Sequence, residues 1–232
     1  MDINEEKTVR DAGPCESGGT ASYAPAEALE IAELIRRNNE LKKAEPKRGA
    51  SVLIPLVWKD GEPHLLFEVR AYDLKVQPGE VCFPGGRIEE GETPQDAVLR
   101  EVSEELFVRK EQVRILGLLE EIVGSRGYPV YVFVGVIDGY DGRFSADEVA
   151  EVQLRPLSWF LTHEPERYPA RTYTELDPGF PFERIPGGKS YPWGFRKYDI
   201  PFYMETSPVL WGMTARITAS FCSLLKKKEE LL

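Results

Sequence analysis

Three glutamates, Glu101, Glu104 and Glu105, fall within five residues of one another near the end of the stretch GGRIEEGETPQDAVLREVSEELFV. On a helix, offsets of three and four bring Glu104 and Glu105 beside Glu101 on one surface. Such a cluster opposes its own helix. Like charges at these spacings cost about 0.2–0.5 kcal/mol per pair. Near the C-terminal end the helix dipole adds roughly 0.3–1 kcal/mol. A divalent cation offsets both terms, and clustered carboxylates are hard oxygen ligands suited to Mg²⁺ or Mn²⁺ held together with substrate phosphates.

The rest of the composition narrows the chemistry. The 232 residues contain two histidines, His64 and His163, and three cysteines, Cys15, Cys82 and Cys222, with no C-x-x-C pair. A His-rich zinc site is excluded, and triad mechanisms have few candidates. Unpaired, widely spaced thiols suit a reducing, cytosolic compartment. A formal charge of −10 weighs against nucleic acid or an anionic membrane as partner. No apolar run reaches the roughly 18 residues of a membrane helix. The acidic start is wrong for a signal peptide, and the end lacks a Ser-Lys-Leu address, so cytoplasm is the expected location.

Elements must position the glutamates. Thr93 is an N-cap candidate, with Pro94 at the first helical position and Asp96 at the third, so a helix is expected to run to Phe107 with Val98, Val102 and Leu106 facing the core. Before it, SVLIPLVW and HLLFEVR flank an Asp60-Gly61 turn and read as a hairpin. VRILGLLEEIV and YPVYVFVGVID read as strands. A helix is expected from Pro25 to Lys43, and another from Ser207-Pro208 to about Lys228. The order of helices and strands predicts one α/β domain over 25–232, a mixed sheet with helices on both faces, behind a flexible arm at 1–24. Residues 163–203 are rich in Pro, Gly and aromatics without periodicity. This insertion could stack on adenine, cover a ligand, pack on itself or form a homodimer contact. Pro186-Gly187-Gly188-Lys189-Ser190 ends like a phosphate-binding loop, but Glu183 replaces the first glycine and no apolar strand precedes it.

Gly86, then Glu92, then Arg100-Glu101-Val102-x-Glu104-Glu105 resembles the Nudix box, G-x5-E-x7-R-E-U-x-E-E-x-G-U, where U is bulky and aliphatic. Every fixed position over Gly86–Val108 matches except the second glycine, which is Phe107. The resemblance implies a Nudix-type α/β/α sandwich and a loop–helix–loop that binds a divalent metal through Glu101, Glu104 and Glu105 and the backbone carbonyl of Gly86. It also implies that Arg100 and Glu92 brace the loop against the helix. A bulky residue at 107 adopts a left-handed turn poorly, so a different helix exit is expected there.

Upstream, LLFEVRAYDLKVQPGEVCFPGG is similar to the extra signature of the coenzyme A pyrophosphatase branch, through Leu65-Leu66, Arg70, Lys75, Gly79 and Phe83-Pro84-Gly85-Gly86. Lys75, Gln77 and Glu80 depart from it. EVAEVQLRPLSWFL and VLWGMTARI match later segments of that branch. The resemblance implies metal-dependent hydrolysis of coenzyme A, or an acyl derivative, into 3′,5′-ADP and 4′-phosphopantetheine. Arg70, Lys75 and Arg87 are the expected local cations for this anionic small molecule. With histidine so scarce, a carboxylate is the expected general base: Glu105 or Glu104 first, Glu148 or Glu151 second. Another nucleoside diphosphate derivative as substrate, or a non-catalytic nucleotide sensor, remain the alternatives.

Overall fold

The computed structural model describes residues 6–8, 26–39, 48–124 and 127–229. The arm expected at 1–24 lies outside them, apart from a short strand β1 (Glu6–Thr8). Helix α1 (Ala26–Asn39) is followed by the hairpin β2 (Ala50–Lys59) and β3 (Glu62–Arg70). Asp60 and Gly61 turn it with φ of 53° and 83°, the two positive values that a two-residue type I′ turn requires.

Two short strands, β4 (Val81–Cys82) and β5 (Gly85–Arg87), lead to helix α2 (Pro94–Leu106). Strands β6 (Val113–Val123), β7 (Pro129–Ile137), β8 (Arg143–Ser145) and β9 (Val149–Pro156) come next, then helix α3 (Leu157–Thr162). The chain closes with β10 (Glu166–Tyr173), β11 (Phe195–Tyr203), β12 (Leu210–Trp211) and helix α4 (Gly212–Glu229). The central sheet has the order β4-β3-β2-β7-β6, with β5 on β2 and β9 on β3. The β2–β7 pair is parallel and the others are antiparallel, so the sheet is mixed as expected.

The period-2 alternation of each strand sends side chains to opposite faces, and each face has its own core. Leu53, Val57, Leu66, Tyr131 and Phe133 pack with Val98, Val102 and Leu106 of α2. Ile54, Leu56, Leu65, Phe67 and Val132 pack with α1, α3 and α4 through Ile31, Ile35, Phe160, Ile217 and Phe221.

Two expectations change. The 163–203 stretch holds a long antiparallel ribbon, β10–β11, paired from Glu166↔Phe202 to Tyr173↔Phe195. It shows no in/out periodicity because most of it is exposed on both faces. The last helix begins at Gly212, not Ser207, because Leu210–Trp211 pairs with Phe202–Tyr203 as β12 before the chain coils.

Candidate active site

Helix α2 starts as the sequence predicts. Thr93 is the N-cap: the Asp96 N–H donates to its Oγ1 at 3.1 Å, and its own N–H donates to Asp96 Oδ2 at 3.4 Å. Reciprocal capping of this kind satisfies two otherwise orphaned donors. With Val98, Val102 and Leu106 sealed against the sheet, the helix presents Glu101 and Glu105 to the Gly85–Gly86 corner.

That corner is glycine for steric reasons. At Gly85 (φ 142°) a Cβ would collide with the Ser51 carbonyl, and at Gly86 it would run into the Glu101 carboxyl. The Gly85 N–H donates to Glu105 Oε2 at 2.8 Å. Arg100 ties the preceding loop to the helix. Its Nε donates to Glu92 Oε1 at 2.8 Å and its Nη2 to Glu92 Oε2 at 3.1 Å and to the Arg87 carbonyl at 3.0 Å. Its Nη1 reaches Glu104 Oε2 at 3.2 Å and Glu101 Oε1 at 3.0 Å. The brace expected of Arg100 and Glu92 therefore has a concrete geometry. Hydrogen bonding from Arg100 holds the Glu92 carboxyl down to about 2.

The three helix glutamates differ in setting. Glu105 is buried, and burial pushes its carboxyl up to about 8 against the pull of the Gly85 N–H, with the charges of Glu101 and Glu148 adding to the rise. Glu101 is half-buried, and desolvation raises it despite the Arg100 hydrogen bond. Glu104 is the outward member, its side chain 57% exposed and held by Arg100. Among the described residues no three His, Cys, Asp or Glu side chains are gathered closely enough to hold a metal ion as they stand. The donor chemistry fits a hard divalent cation nonetheless: all donors are oxygens, and two carboxylates, Glu101 and Glu105, are raised by burial and by neighbouring acidic charge.

One acidic residue was not singled out from the sequence. Glu68, on β3, is 1% exposed, and its Oε1 has no hydrogen-bond partner. Burial first, then the Glu105 charge, pushes its carboxyl well above the carboxylate range, and Glu148 and Glu101 add to the rise. It faces α2, sits opposite Cys82 across the β3–β4 pair, and shares the face of Leu66. The only signal in the sequence is a lone acid inside the run HLLFEVR.

The expected cations divide. The charge of Arg70 opposes the rise at Glu68 and Glu105, so it belongs to the cluster, and its Nε donates to the Val76 carbonyl at 3.2 Å. Lys75, in the loop after β3, and Arg87, at the end of β5, are both exposed. The two second-rank bases also separate. Glu148 is charge-coupled to Glu68, Glu101 and Glu105. Glu151 lies on the opposite side of the sheet from Val152 and accepts from Gln153 Nε2 at 2.9 Å. Phe107 corrects another expectation: it takes φ 50° and ψ 31°, so the left-handed helix exit survives without glycine.

A family model described as NUDIX domain matches residues 47–176, more than half of the chain. A mouse protein named peroxisomal coenzyme A diphosphatase NUDT7 is 39% identical over 127 residues, 54% of this chain and 53% of that protein. Nudix hydrolase 3 of Caenorhabditis elegans is 48% identical over 121 residues, 49% of this chain and 50% of that one. The chain thus spans about half the length of these two relatives. A Salmonella newport (strain SL254) protein named Nudix hydrolase NudL is 31% identical over 173 residues, 74% of this chain and 79% of that one. Among solved structures, a MutT/nudix family protein from Enterococcus faecalis aligns with TM-score 0.43 and 16% identity over 86% of this chain and 73% of that one. A C. elegans Ap4A hydrolase binary complex aligns with TM-score 0.42 and 22% identity over 47% and 80%. With the box glutamates set on a capped helix against a double-glycine corner and the domain model matched across them, the chain belongs to the Nudix hydrolase family.

Proposed function

We propose that the chain hydrolyses the diphosphate linkage of coenzyme A or its acyl derivatives, in a reaction that depends on Mg²⁺ or Mn²⁺, releasing 3′,5′-ADP and 4′-phosphopantetheine. The observation that carries this reading is the convergence of Glu101 and Glu105 on the Gly85–Gly86 corner, the end of the Arg70…Phe83-Pro84-Gly85-Gly86 signature. The mouse relative named a coenzyme A diphosphatase supports the substrate class.

Glu101, Glu104, Glu105 and the Gly86 carbonyl are the groups that would hold the cation. Once bound, it would supply Lewis acidity toward the diphosphate and lower the pKa of an attacking water. The chain's own residues do the rest. Arg100 and Glu92 fix the loop that follows Gly86, which packs against the Glu101 carboxyl. The Gly85 N–H orients Glu105 and leaves its other oxygen available to accept a proton. Arg70, Lys75 and Arg87 supply positive charge for a phosphate-rich substrate on a chain of net charge −10. A cytosolic setting belongs to the same reading; the mouse relative is named peroxisomal.

The test is a substrate panel. Purified protein is incubated with and without Mg²⁺ or Mn²⁺ against coenzyme A, acetyl-coenzyme A, ADP-ribose, NADH and diadenosine tetraphosphate, with products separated chromatographically. Cation-dependent release of 3′,5′-ADP is expected. Intact coenzyme A alongside cleavage of another compound would reassign the substrate.

A further inference from the structure

The β10–β11 ribbon breaks a rule of strand pairing. Arg171 and Lys197 stand directly opposite each other, and like charges in that position destabilise a sheet. Both reach the same ring: the Arg171 guanidinium lies 5.0 Å and the Lys197 ammonium 5.6 Å from the Phe195 centroid. Neither forms an ion pair with any described carboxylate. Asp199, next along the same face and paired with Pro169, bonds to neither. Two cations are thus gathered and left uncompensated on a chain whose net charge is −10.

Aromatic surface adjoins them. Tyr173 pairs with Phe195, their rings 5.6 Å apart, and is 63% exposed. By strand alternation, Tyr173, Arg171, Phe195, Lys197 and Pro201 share one face with Tyr203. Tyr203 is buried against Phe160, 5.2 Å between centroids, so this face is turned toward the body of the domain at the ribbon's base, while Arg171, Tyr173, Phe195 and Lys197 are exposed toward the tip. Pro169 has no N–H to offer along the outer edge strand, which disfavours pairing with a further strand and leaves the face as the surface to be covered.

We propose that this exposed face binds a phosphorylated nucleoside, its phosphate held between Arg171 and Lys197 and its base against Tyr173. Paired cations beside an aromatic plane match a group that carries charge and a flat ring together. The identification of that group as the 3′-phosphoadenosine end of coenzyme A rests on the proposed function above.

Calorimetric titration of the full chain in EDTA with adenosine 3′,5′-bisphosphate, inorganic phosphate and adenosine tests it. The bisphosphate is expected to bind, and the pair Arg171→Ala with Lys197→Ala to weaken it by about tenfold or more, the scale of two lost charge-assisted bonds. The exchange Arg171→Lys with Lys197→Arg keeps the charges and should retain binding, which separates site loss from misfolding. Tyr173→Ser should weaken the bisphosphate and leave inorganic phosphate unchanged. Equal affinity in the double alanine variant overturns the proposal. So does equal binding of inorganic phosphate and bisphosphate. A shift in sedimentation with unchanged nucleotide affinity also overturns it and makes the face an interface between copies. In kinetics, the KM for coenzyme A should rise in the double variant while that for dephospho-coenzyme A stays. If wild-type protein cleaves coenzyme A and the double variant does so with the same KM, the docking face falls and the proposed function stands. If wild-type leaves coenzyme A intact yet binds the bisphosphate through these residues, the reverse holds.

Discussion

The Gly85 N–H and the Glu105 carboxylate, 20 residues apart in sequence, meet at 2.8 Å and join the double-glycine corner to the last turn of α2. The bond favours the ionised carboxylate, yet burial still leaves Glu105 at about 8. A carboxyl raised on folding makes the native state bind protons more tightly than the unfolded chain. Stability without metal is therefore full below the ordinary carboxylate range, about 4.3, and declines as pH rises toward 8. Glu68, raised in the same direction, adds to the decline. Melting temperatures in EDTA should fall across this window. Mn²⁺ should raise them more at pH 8 than at pH 5, and Glu105→Gln should flatten both effects.

Glu104 is the most exposed of the three helix glutamates. Glu104→Gln should leave the melting temperature within a degree or two and reduce turnover by about two to four orders of magnitude. Near-normal turnover would remove Glu104 from the proposed cation site.

The Arg100–Glu92 pair carries the opposite pH dependence. Glu92 is held down to about 2, so its contribution is complete above the ordinary carboxylate range and lost as pH falls toward 2. Urea unfolding between pH 6 and pH 2.5 should show wild type and Glu92→Gln converging in acid. Arg100→Lys, which loses the two-pronged grip, should raise the cation concentration needed for half-maximal activity.

Glu68 buries a carboxyl with one oxygen unpartnered. Glu68→Gln keeps the shape and removes the capacity for charge, and it should stabilise the metal-free protein at pH 8 more than at pH 5. If the carboxyl also draws in the cation, Mn²⁺ titrated calorimetrically should bind this variant more weakly. Unchanged affinity would leave Glu68 with a packing role alone.

Phe107 pays backbone strain at φ 50° where glycine fits freely. Phe107→Gly should change stability by less than about 1 kcal/mol, relief of strain opposing loss of a half-buried ring. Leu106→Ala, one residue earlier and fully buried, should cost about 2–5 kcal/mol. Chemical denaturation of the two variants side by side checks the contrast.

The sequence made α2 legible because every cue was local: a Thr93 cap, Pro94 in the first turn, Asp96 three residues on, and apolar residues at helical spacing. Asp60-Gly61 set the hairpin for the same reason. What stayed hidden depended on the third dimension. Glu68 became a buried acid beside the helix glutamates because β4 and β5 bring Cys82 and Gly85 alongside β3 and β2. Ser207-Pro208 looked like a helix start, but the partner strand claims Leu210 and Trp211 first. The ribbon at 166–203 gave no alternation to read, since neither of its faces is sealed along most of its length.

The sheet keeps its two faces apart. Val98, Val102 and Leu106 rest on one, and Ile35, Phe160 and Phe221 on the other. Damage on the two sides should accumulate as independent increments, because such residues share no neighbours. The layer bearing α1 and α4 can therefore diverge, lengthen or be re-engineered while the glutamate helix keeps its seating, which gives the scaffold room to acquire new surroundings around a constant reaction centre.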